Sequence, residues 1–191
     1  MTIFLILAPY GVLAALLLLT SATVSLLCAT IICLGVIAVD IARGRTIKIL
    51  GIGSAVVFTA VGLYLTFVDP TLSTMAIRVT VDSGILLVSL LSILLRHPFT
   101  RQYAIEMVDA ETARLPSFNH VNYLIAWAWI GASLLMLLGN VTLLYVPGLP
   151  LWTGLLVAFA ARNSAVYFTR WYPDYRRAKY GTPPANALPS P

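Results

Sequence analysis

Charged side chains are scarce in this chain of 191 residues. Lysine, arginine, aspartate and glutamate make up 10% of the sequence, whereas 60% is hydrophobic. Soluble domains carry about 25% charged residues, and a chain of this length cannot hide so much apolar surface in its own core. The composition therefore excludes an ordinary soluble domain and predicts a membrane protein. The apolar runs are continuous rather than alternating, which favours helices over a β-barrel.

Motifs of several enzyme and metal-site classes are also missing. The sequence has no glycine-rich phosphate loop, no nucleophile elbow, no His-Glu-x-x-His and no cysteine ligand set. Its two cysteines, Cys28 and Cys33, lie in an apolar run at a spacing that puts them on different helix faces. We therefore predict no catalytic residues, no cofactor and no metal. The net charge of +5 is scattered between apolar runs, which argues against nucleic-acid binding.

Apolar segments along the chain are long enough to cross a bilayer, which takes roughly 20 residues per helix. No charge occurs between Met1 and Asp40, where one straight helix would be about 57 Å long, nearly twice the ~30 Å hydrocarbon thickness. We predict a turn near 20–23, with one long tilted helix as the alternative. The fold class is all-α: a transmembrane bundle over residues 1–175, then a disordered cytoplasmic tail over 176–191. About six spans are predicted, at residues 3–19, 23–39, 49–68, 73–95, 120–142 and 151–170.

Basic residues are confined to alternate connections between these spans. The connections near 20–22, 69–72 and 143–150 contain no lysine or arginine. The other connections and the C-terminal exit carry ten basic residues, which by the positive-inside rule places both termini in the cytoplasm. Those ten residues are Arg43, Arg45, Lys48, Arg96, Arg101, Arg114, Arg170, Arg176, Arg177 and Lys179.

The segment LLRHPFTRQYAIEMVDAE, residues 94–111, connects the fourth and fifth spans. Pro98 cannot continue a helix, so the fourth span ends there. Beyond it, apolar residues recur at three-to-four spacing, which predicts a short amphipathic helix lying in the cytoplasmic interface. It either binds lipid or a protein partner or is a structural link. The candidate interfacial or partner-binding residues are Arg96, His97, Arg101, Tyr103, Glu106 and Asp109.

Asp82 lies near the middle of the fourth span, and an acidic residue at that depth is a functional hypothesis by default. Arg78, one turn earlier, is its predicted partner. The pair is either a proton or cation relay, a site for a charged substrate, or a self-neutralising structural pair. Arg162 either reaches the cytoplasmic end of the sixth span, faces Asp82 or binds an anionic headgroup. The predicted intramembrane polar site consists of Arg78, Asp82, Asn140, Arg162 and Asn163.

Two histidines, His97 and His120, fall at the cytoplasmic ends of adjacent predicted spans. Such a pair can ligate haem, or a metal with help from nearby carboxylates. Membrane haem sites usually lie deeper in the bundle, so haem stays an alternative and is not our prediction.

Small residues form a stripe along the third span, at Gly51, Ala55, Thr59, Gly62 and Thr66. Stripes of this kind allow close helix contact in membranes. The contact is either within the chain or across a homodimer.

The second half of the chain carries a pattern of motifs. It begins with RHPFTRQYAIE, continues with LPSFNHVNYLIAWAW and ends with Asn140. Over about 45 residues this pattern resembles uncharacterised bacterial membrane proteins related to intracellular septation protein A. The residues that carry the resemblance are Arg96, Pro98, Leu115, Pro116, Asn122, Trp129 and Asn140.

This resemblance implies a polytopic protein of the bacterial inner membrane, with a role in cell-envelope maintenance or division exerted through protein or lipid partners. It implies no chemistry. The alternatives from the residues themselves are a small transporter or substrate-binding subunit that uses the Arg78–Asp82 pair, and a haem, metal or enzyme protein that uses His97 and His120.

Overall fold

The computed structural model describes residues 2–146 and 148–181, and over these residues it is helical with no strand, so the all-α prediction is confirmed. A single 3₁₀ turn, Ile105–Met107, follows the fifth helix. The α-helices are α1 (Thr2–Leu19), α2 (Ala22–Ala42), α3 (Ile49–Phe67), α4 (Thr74–Leu94), α5 (Phe99–Ala104), α6 (Ala110–Arg114), α7 (Pro116–Tyr145) and α8 (Leu151–Tyr180).

Four helices, α2, α3, α4 and α7, are long and apolar enough to cross a membrane. This supports a membrane-embedded protein. Over the described residues, α1 and α8 are not among them, so the prediction of six spans is not confirmed by length and hydropathy. In α8, Arg162 and Asn163 interrupt the apolar sequence and lower its mean hydropathy.

The N-terminal apolar block turns back, as predicted, and the single-helix alternative is wrong. Helix α1 ends at Leu19, and Ser21 caps α2 by accepting a hydrogen bond from the Val24 N–H at 3.4 Å. Leu13 of α1 packs in the same buried cluster as Leu26 of α2, so the two helices lie against each other.

The main apolar core lies among α1 to α4. Phe58, Leu26 and Ile77 are fully buried there. Tyr10 of α1 packs edge-on against Phe58, with 5.9 Å between ring centroids, and its hydroxyl hydrogen-bonds the Ser54 hydroxyl. These contacts fix α1 against α3, which positions one wall of the groove described below.

Helices α3 and α4 approach closely through two glycines. A Cβ on Gly53 would lie 2.4 Å from a methyl group of Val88, and one on Gly84 would lie 2.8 Å from Val57. Gly53 lies outside the predicted small-residue stripe. Two stripe members, Gly51 and Gly62, face Ile37 and Leu26 of α2, so the stripe makes a contact within the chain.

The last two helices are longer than predicted. Helix α7 begins at Pro116 rather than 120, and α8 continues ten residues beyond 170. The prediction that the tail is disordered from 176 is wrong for 176–180, where Arg177 and Lys179 in the last turn favour the negative end of the helix dipole. The rest of that predicted tail, 182–191, lies outside the described residues.

Candidate functional site

A groove of about 1000 Å³ runs along the bundle between α1, α4, α7 and α8. On α8 its walls extend from Trp152 to Arg177, which is about 37 Å of helix and more than the ~30 Å hydrocarbon thickness. Two residues in its wall, Leu156 and Phe159, are 61% and 71% exposed, so the groove is open to its surroundings along α8.

Charged residues are few in the groove and mostly basic. Most of its wall is aliphatic or aromatic. Among the described residues, the wall has one carboxylate, Asp82, and four guanidinium groups, those of Arg78, Arg162, Arg170 and Arg177. The groove therefore carries an excess of positive charge.

Asp82, Asn140, Arg78 and Arg162 form what we call the polar cluster. The Asn140 side chain, on α7, donates a hydrogen bond from Nδ2 to Oδ2 of Asp82, on α4, at 2.6 Å. Arg162 and Arg78 interact with Asp82 electrostatically. The predicted direct pair is not what the structure contains, because Asp82 accepts its hydrogen bond from Asn140, and no ion pair joins Asp82 to Arg78 over the described residues.

Local geometry explains the arrangement of the polar cluster. Arg78 and Asp82 are one turn apart on α4 and so share a face. Side chains on a helix lean toward its N-terminus, so Arg162 leans along α8 toward the turn that contains Ala158. Helices α7 and α8 approach closely at Gly154, where a Cβ would lie 2.3 Å from Cδ1 of Leu143 on α7, one turn from Asn140. Arg162 lines the same groove as Asp82 and acts on it electrostatically, which is compatible with the alternative in which Arg162 faces Asp82.

The cluster carries two guanidinium groups against one carboxylate. All three charged side chains are partly buried. Over the described residues, neither Arg78 nor Arg162 has a hydrogen bond or ion pair within 4 Å, so their donors face the groove without a protein acceptor. A desolvated cation without a partner is costly, which makes the site attractive to an anion.

Asn163 does not belong to this cluster. Its side chain is exposed and donates to the Phe159 carbonyl of its own helix at 2.8 Å. Polar side chains commonly satisfy themselves in this way on a helix surface. The prediction that Asn163 joins the polar site is therefore not supported by its position.

A second set of charged residues lies where α5 meets the ends of α3 and α7; we call Lys48 together with residues 98–109 the end cap. The Lys48 side chain is 5% exposed, forms an ion pair with Glu106 and donates to the Thr46 carbonyl at 2.8 Å. Gln102 Oε1 accepts a hydrogen bond from the Ile49 N–H at 2.8 Å. Sequence reasoning treated Lys48 only as a positive charge in a connection, because Glu106 follows 58 residues later and no local pattern links them.

The end cap is packed into the bundle. Phe99 and Thr100 are buried, and the Thr100 hydroxyl donates to the Asn122 carbonyl of α7 at 2.7 Å. Arg101 hydrogen-bonds Asn119. A helix is therefore present where one was predicted, but Phe99 faces protein; that the segment lies in the membrane interface stays a prediction.

Tyr103 and Asp109 also have internal roles. Lys48 Nζ lies 5.7 Å from the centre of the Tyr103 ring, a cation–π geometry. Burial raises the pKa of the Tyr103 hydroxyl, and Tyr10, Asp40 and Glu106 raise it further. Asp109 caps α6 by accepting the Thr112 N–H at 2.7 Å, and this bond, with one from the Thr112 hydroxyl, lowers the pKa of its carboxyl group.

Arg96 and His97 form an exposed turn at the end of α4. Arg96 has a left-handed φ of 58°, and the His97 Nδ1 atom is 2.7 Å from the Leu95 carbonyl oxygen. His120, the other histidine, is also exposed. Over the described residues, no group of three or more His, Cys, Asp or Glu side chains could hold a metal ion. Haem ligation by the two histidines stays an alternative.

In comparisons with known proteins, no family model, no curated protein and no solved structure matches this chain.

Proposed function

We propose that this chain is a membrane protein that binds an amphipathic monoanion in the groove, as a small transporter or substrate-binding subunit does. The observation that carries the proposal is the polar cluster, in which two arginines that form no hydrogen bond or ion pair with any described residue lie near one carboxylate in an otherwise apolar groove. In this proposal α1 and α8 complete a multi-pass bundle of six spans in the bacterial inner membrane, with both termini cytoplasmic.

The charge of the ligand follows from the charge of the cluster. Two guanidinium groups and one carboxylate leave one positive charge to be neutralised, which suits a carboxylate or a phosphodiester. A proton or cation relay is disfavoured by the same excess of positive charge, since the two arginines near Asp82 repel a cation.

The apolar character of the ligand follows from the rest of the wall. Beyond the cluster the groove is built largely from aliphatic and aromatic side chains, such as Leu155, Phe159 and Met136. Such surfaces bind alkyl chains, whereas a small hydrophilic anion would leave them empty. An alkyl chain with a charged end fits both parts of the groove.

Each member of the cluster then has a separate role. Arg162 and Arg78 bind the anionic end of the ligand, because they hold the donors without partners. Asp82 lowers the net charge of the cluster to +1, so that the cluster neutralises a monoanion but not a dianion. Asn140 orients the Asp82 carboxylate through the 2.6 Å hydrogen bond.

The role in the cell envelope implied by the resemblance stays a prediction. Partner binding through the segment 94–111 would have to use its exposed residues, because Glu106, Arg101 and Phe99 are engaged within the chain.

The test is a titration of the detergent-purified chain with dodecanoate at pH 8. Binding is followed through quenching of tryptophan fluorescence by a brominated dodecanoate, since Trp129 and Trp152 line the groove. We expect saturable binding of the carboxylate, with dodecanol and dodecyltrimethylammonium failing to compete. Equal competition by dodecanol would contradict the proposal, because it would show that only the chain is recognised.

Two substitutions should act in opposite directions. Arg162→Gln removes one charged donor and should weaken dodecanoate binding about tenfold or more, since a charge-assisted hydrogen bond contributes about 1.5–3 kcal/mol. Asp82→Asn keeps the acceptor for Asn140 and removes the negative charge, so it should strengthen binding. Arg43→Gln is the matched control, because Arg43 is exposed and outside the groove. If Asp82→Asn loses as much binding as Arg162→Gln, the roles assigned to Asp82 and Arg162 are wrong.

A further inference from the structure

The groove has a second basic region, separate from the polar cluster, at the end where α8 leaves the bundle. Arg170 and Arg177 line it together with Thr169 and Pro173 of the same helix. Arg170 is eight residues beyond Arg162, about 12 Å along the axis. The two regions are therefore too far apart along α8 to hold the same charged group.

The depth of this region is set by the length of α8. If α8 is a span, as proposed above, and enters the membrane at 151, twenty residues of helix cross the ~30 Å hydrocarbon layer and α8 leaves it near residue 170. Aromatic side chains surround that point: Trp171 stacks on Tyr175 and Phe168 stacks on Tyr172, both with 5.0 Å between ring centroids. Aromatic belts of this kind lie at the level of the lipid headgroups.

The charge at this level is suited to a phosphate. Over the described residues, Arg170 has no hydrogen bond or ion pair with the protein. Arg177 lies two turns further on the same face and is 4.0 Å from Asp174, but both side chains are more than two-thirds exposed, so this ion pair is weak. No carboxylate among the described residues lines this end of the groove.

The surfaces next to Arg170 are apolar. Trp129 of α7 donates a hydrogen bond from Nε1 to the hydroxyl of Thr169, the neighbour of Arg170, at 2.9 Å. The groove wall also contains the apolar side chains of Phe118 and Val121 of α7 and of Met107 and Val108 of the end cap. An alkyl chain that starts at Arg170 would run along these side chains into the groove. The region thus offers a basic site at headgroup depth that continues into an apolar channel.

We infer that this end of the groove is a binding site for an anionic phospholipid of the adjacent leaflet. Arg170 binds the phosphodiester, Arg177 adds positive potential further out, and one acyl chain lies in the groove between α7, α8 and the end cap. The site is distinct from the polar cluster and does not depend on the ligand proposed for it. The occupant is a phospholipid rather than free phosphate, because the apolar channel opens directly beside the arginine.

The test is native mass spectrometry of the full chain released from nanodiscs that contain equal amounts of phosphatidylglycerol and phosphatidylcholine. We expect phosphatidylglycerol to be retained several-fold over phosphatidylcholine. Arg170→Gln should reduce that preference about fivefold or more, whereas Arg170→Lys should keep part of it. Arg43→Gln, an exposed arginine outside the groove, should leave it unchanged.

Equal retention of the two lipids by the unmodified chain would overturn the inference. An equal loss of preference in Arg43→Gln would overturn it too, by showing that total charge and not the site selects the lipid. Failure of this proposal is distinguishable from failure of the proposed function, because Arg170→Gln should leave dodecanoate binding intact and Arg162→Gln should leave the lipid preference intact.

Discussion

The end cap and the polar cluster both contain basic side chains removed from solvent, but they differ in whether those side chains have hydrogen-bonded partners. In the end cap, Lys48 is buried and has an ion pair, two acceptors on Thr46 and an aromatic ring. In the polar cluster, Arg78 and Arg162 are partly buried and, over the described residues, have no hydrogen-bonded protein partner. Both sets lie where charge is expensive to desolvate.

This difference indicates which basic residues stabilise the fold and which can bind a ligand. A buried charge whose donors are all used stabilises one arrangement of helices and has nothing left to offer a ligand. A charge with unused donors, placed in an open groove, contributes little to the fold and can bind. The comparison predicts that substitutions in the end cap change stability and leave binding intact, whereas substitutions in the polar cluster do the reverse.

The largest stability effect is expected at Lys48. Lys48→Met leaves the Glu106 carboxylate without its partner, and breaking a buried ion pair costs about 3 kcal/mol or more. Because the Glu106 side chain is 20% exposed, we expect the lower end of that range. The measurement is thermal unfolding in detergent, and dodecanoate binding by the folded fraction should be unchanged.

Two further variants complete this prediction. Arg45→Gln breaks a partly exposed ion pair with Asp40, whose atoms are 3.8 Å apart, and should change stability by less than about 0.5 kcal/mol. The double variant Lys48→Met/Glu106→Leu should recover much of the loss, since no charge remains unpaired. If the double variant is as unstable as Lys48→Met alone, the unpaired carboxylate is not the cause.

At Arg96 we expect a smaller change in the free energy of unfolding, and it should be a stabilisation. Its φ of 58° is a left-handed conformation that glycine adopts without the steric penalty of a Cβ. Arg96→Gly should therefore stabilise the chain by about 0.5–1 kcal/mol in the same unfolding measurement. Arg43→Gly is the matched control: Arg43 caps α2 at φ −91°, where glycine relieves nothing, so that variant should be less stable. Stabilisation by both substitutions would show that strain is not involved.

The smallest expected effect is on how steeply the stability of the fold decreases at acidic pH. Hydrogen bonds from the Thr112 N–H and hydroxyl lower the pKa of Asp109 in the folded chain. Its contribution is complete above the unfolded pKa of about 3.9 and is lost as the pH falls through the lower folded value. Asp109→Asn still caps α6 but does not titrate, so its stability should fall less steeply below pH 4. Asp109→Ala should instead be less stable than the unmodified chain at neutral pH; a steeper acid limb in Asp109→Asn would contradict the assignment.

Hydropathy was enough to predict where most helices lie. The starts of α3 at Ile49 and α4 at Thr74 and the turn before Ala22 agree with the predicted spans to within a residue, because charge and capping residues mark them in the sequence. The end of α8 was missed because its last ten residues are polar, and a polar helix beyond the membrane has no hydropathy signal.

The sequence was enough to predict which residues belong to the candidate site, but not which contacts they make. Asp82, Arg78, Asn140 and Arg162 stand out because polar residues are rare in apolar runs. The Asn140–Asp82 hydrogen bond depends on the register of α4 against α7, which a single sequence does not contain. The Lys48–Glu106 ion pair could not be predicted for the same reason, because it also depends on how distant segments pack together.

The most direct test of the central claim is the unfolding midpoint of Arg162→Gln, measured with and without dodecanoate. A ligand at 100 times its dissociation constant stabilises the folded state by about 2.7 kcal/mol. We expect dodecanoate to raise the midpoint of the unmodified chain, and the variant without ligand to unfold at the same temperature or higher but to lose most of that rise. A variant that unfolds at a lower temperature and keeps the full dodecanoate shift would show that Arg162 is structural, and the claim would be wrong.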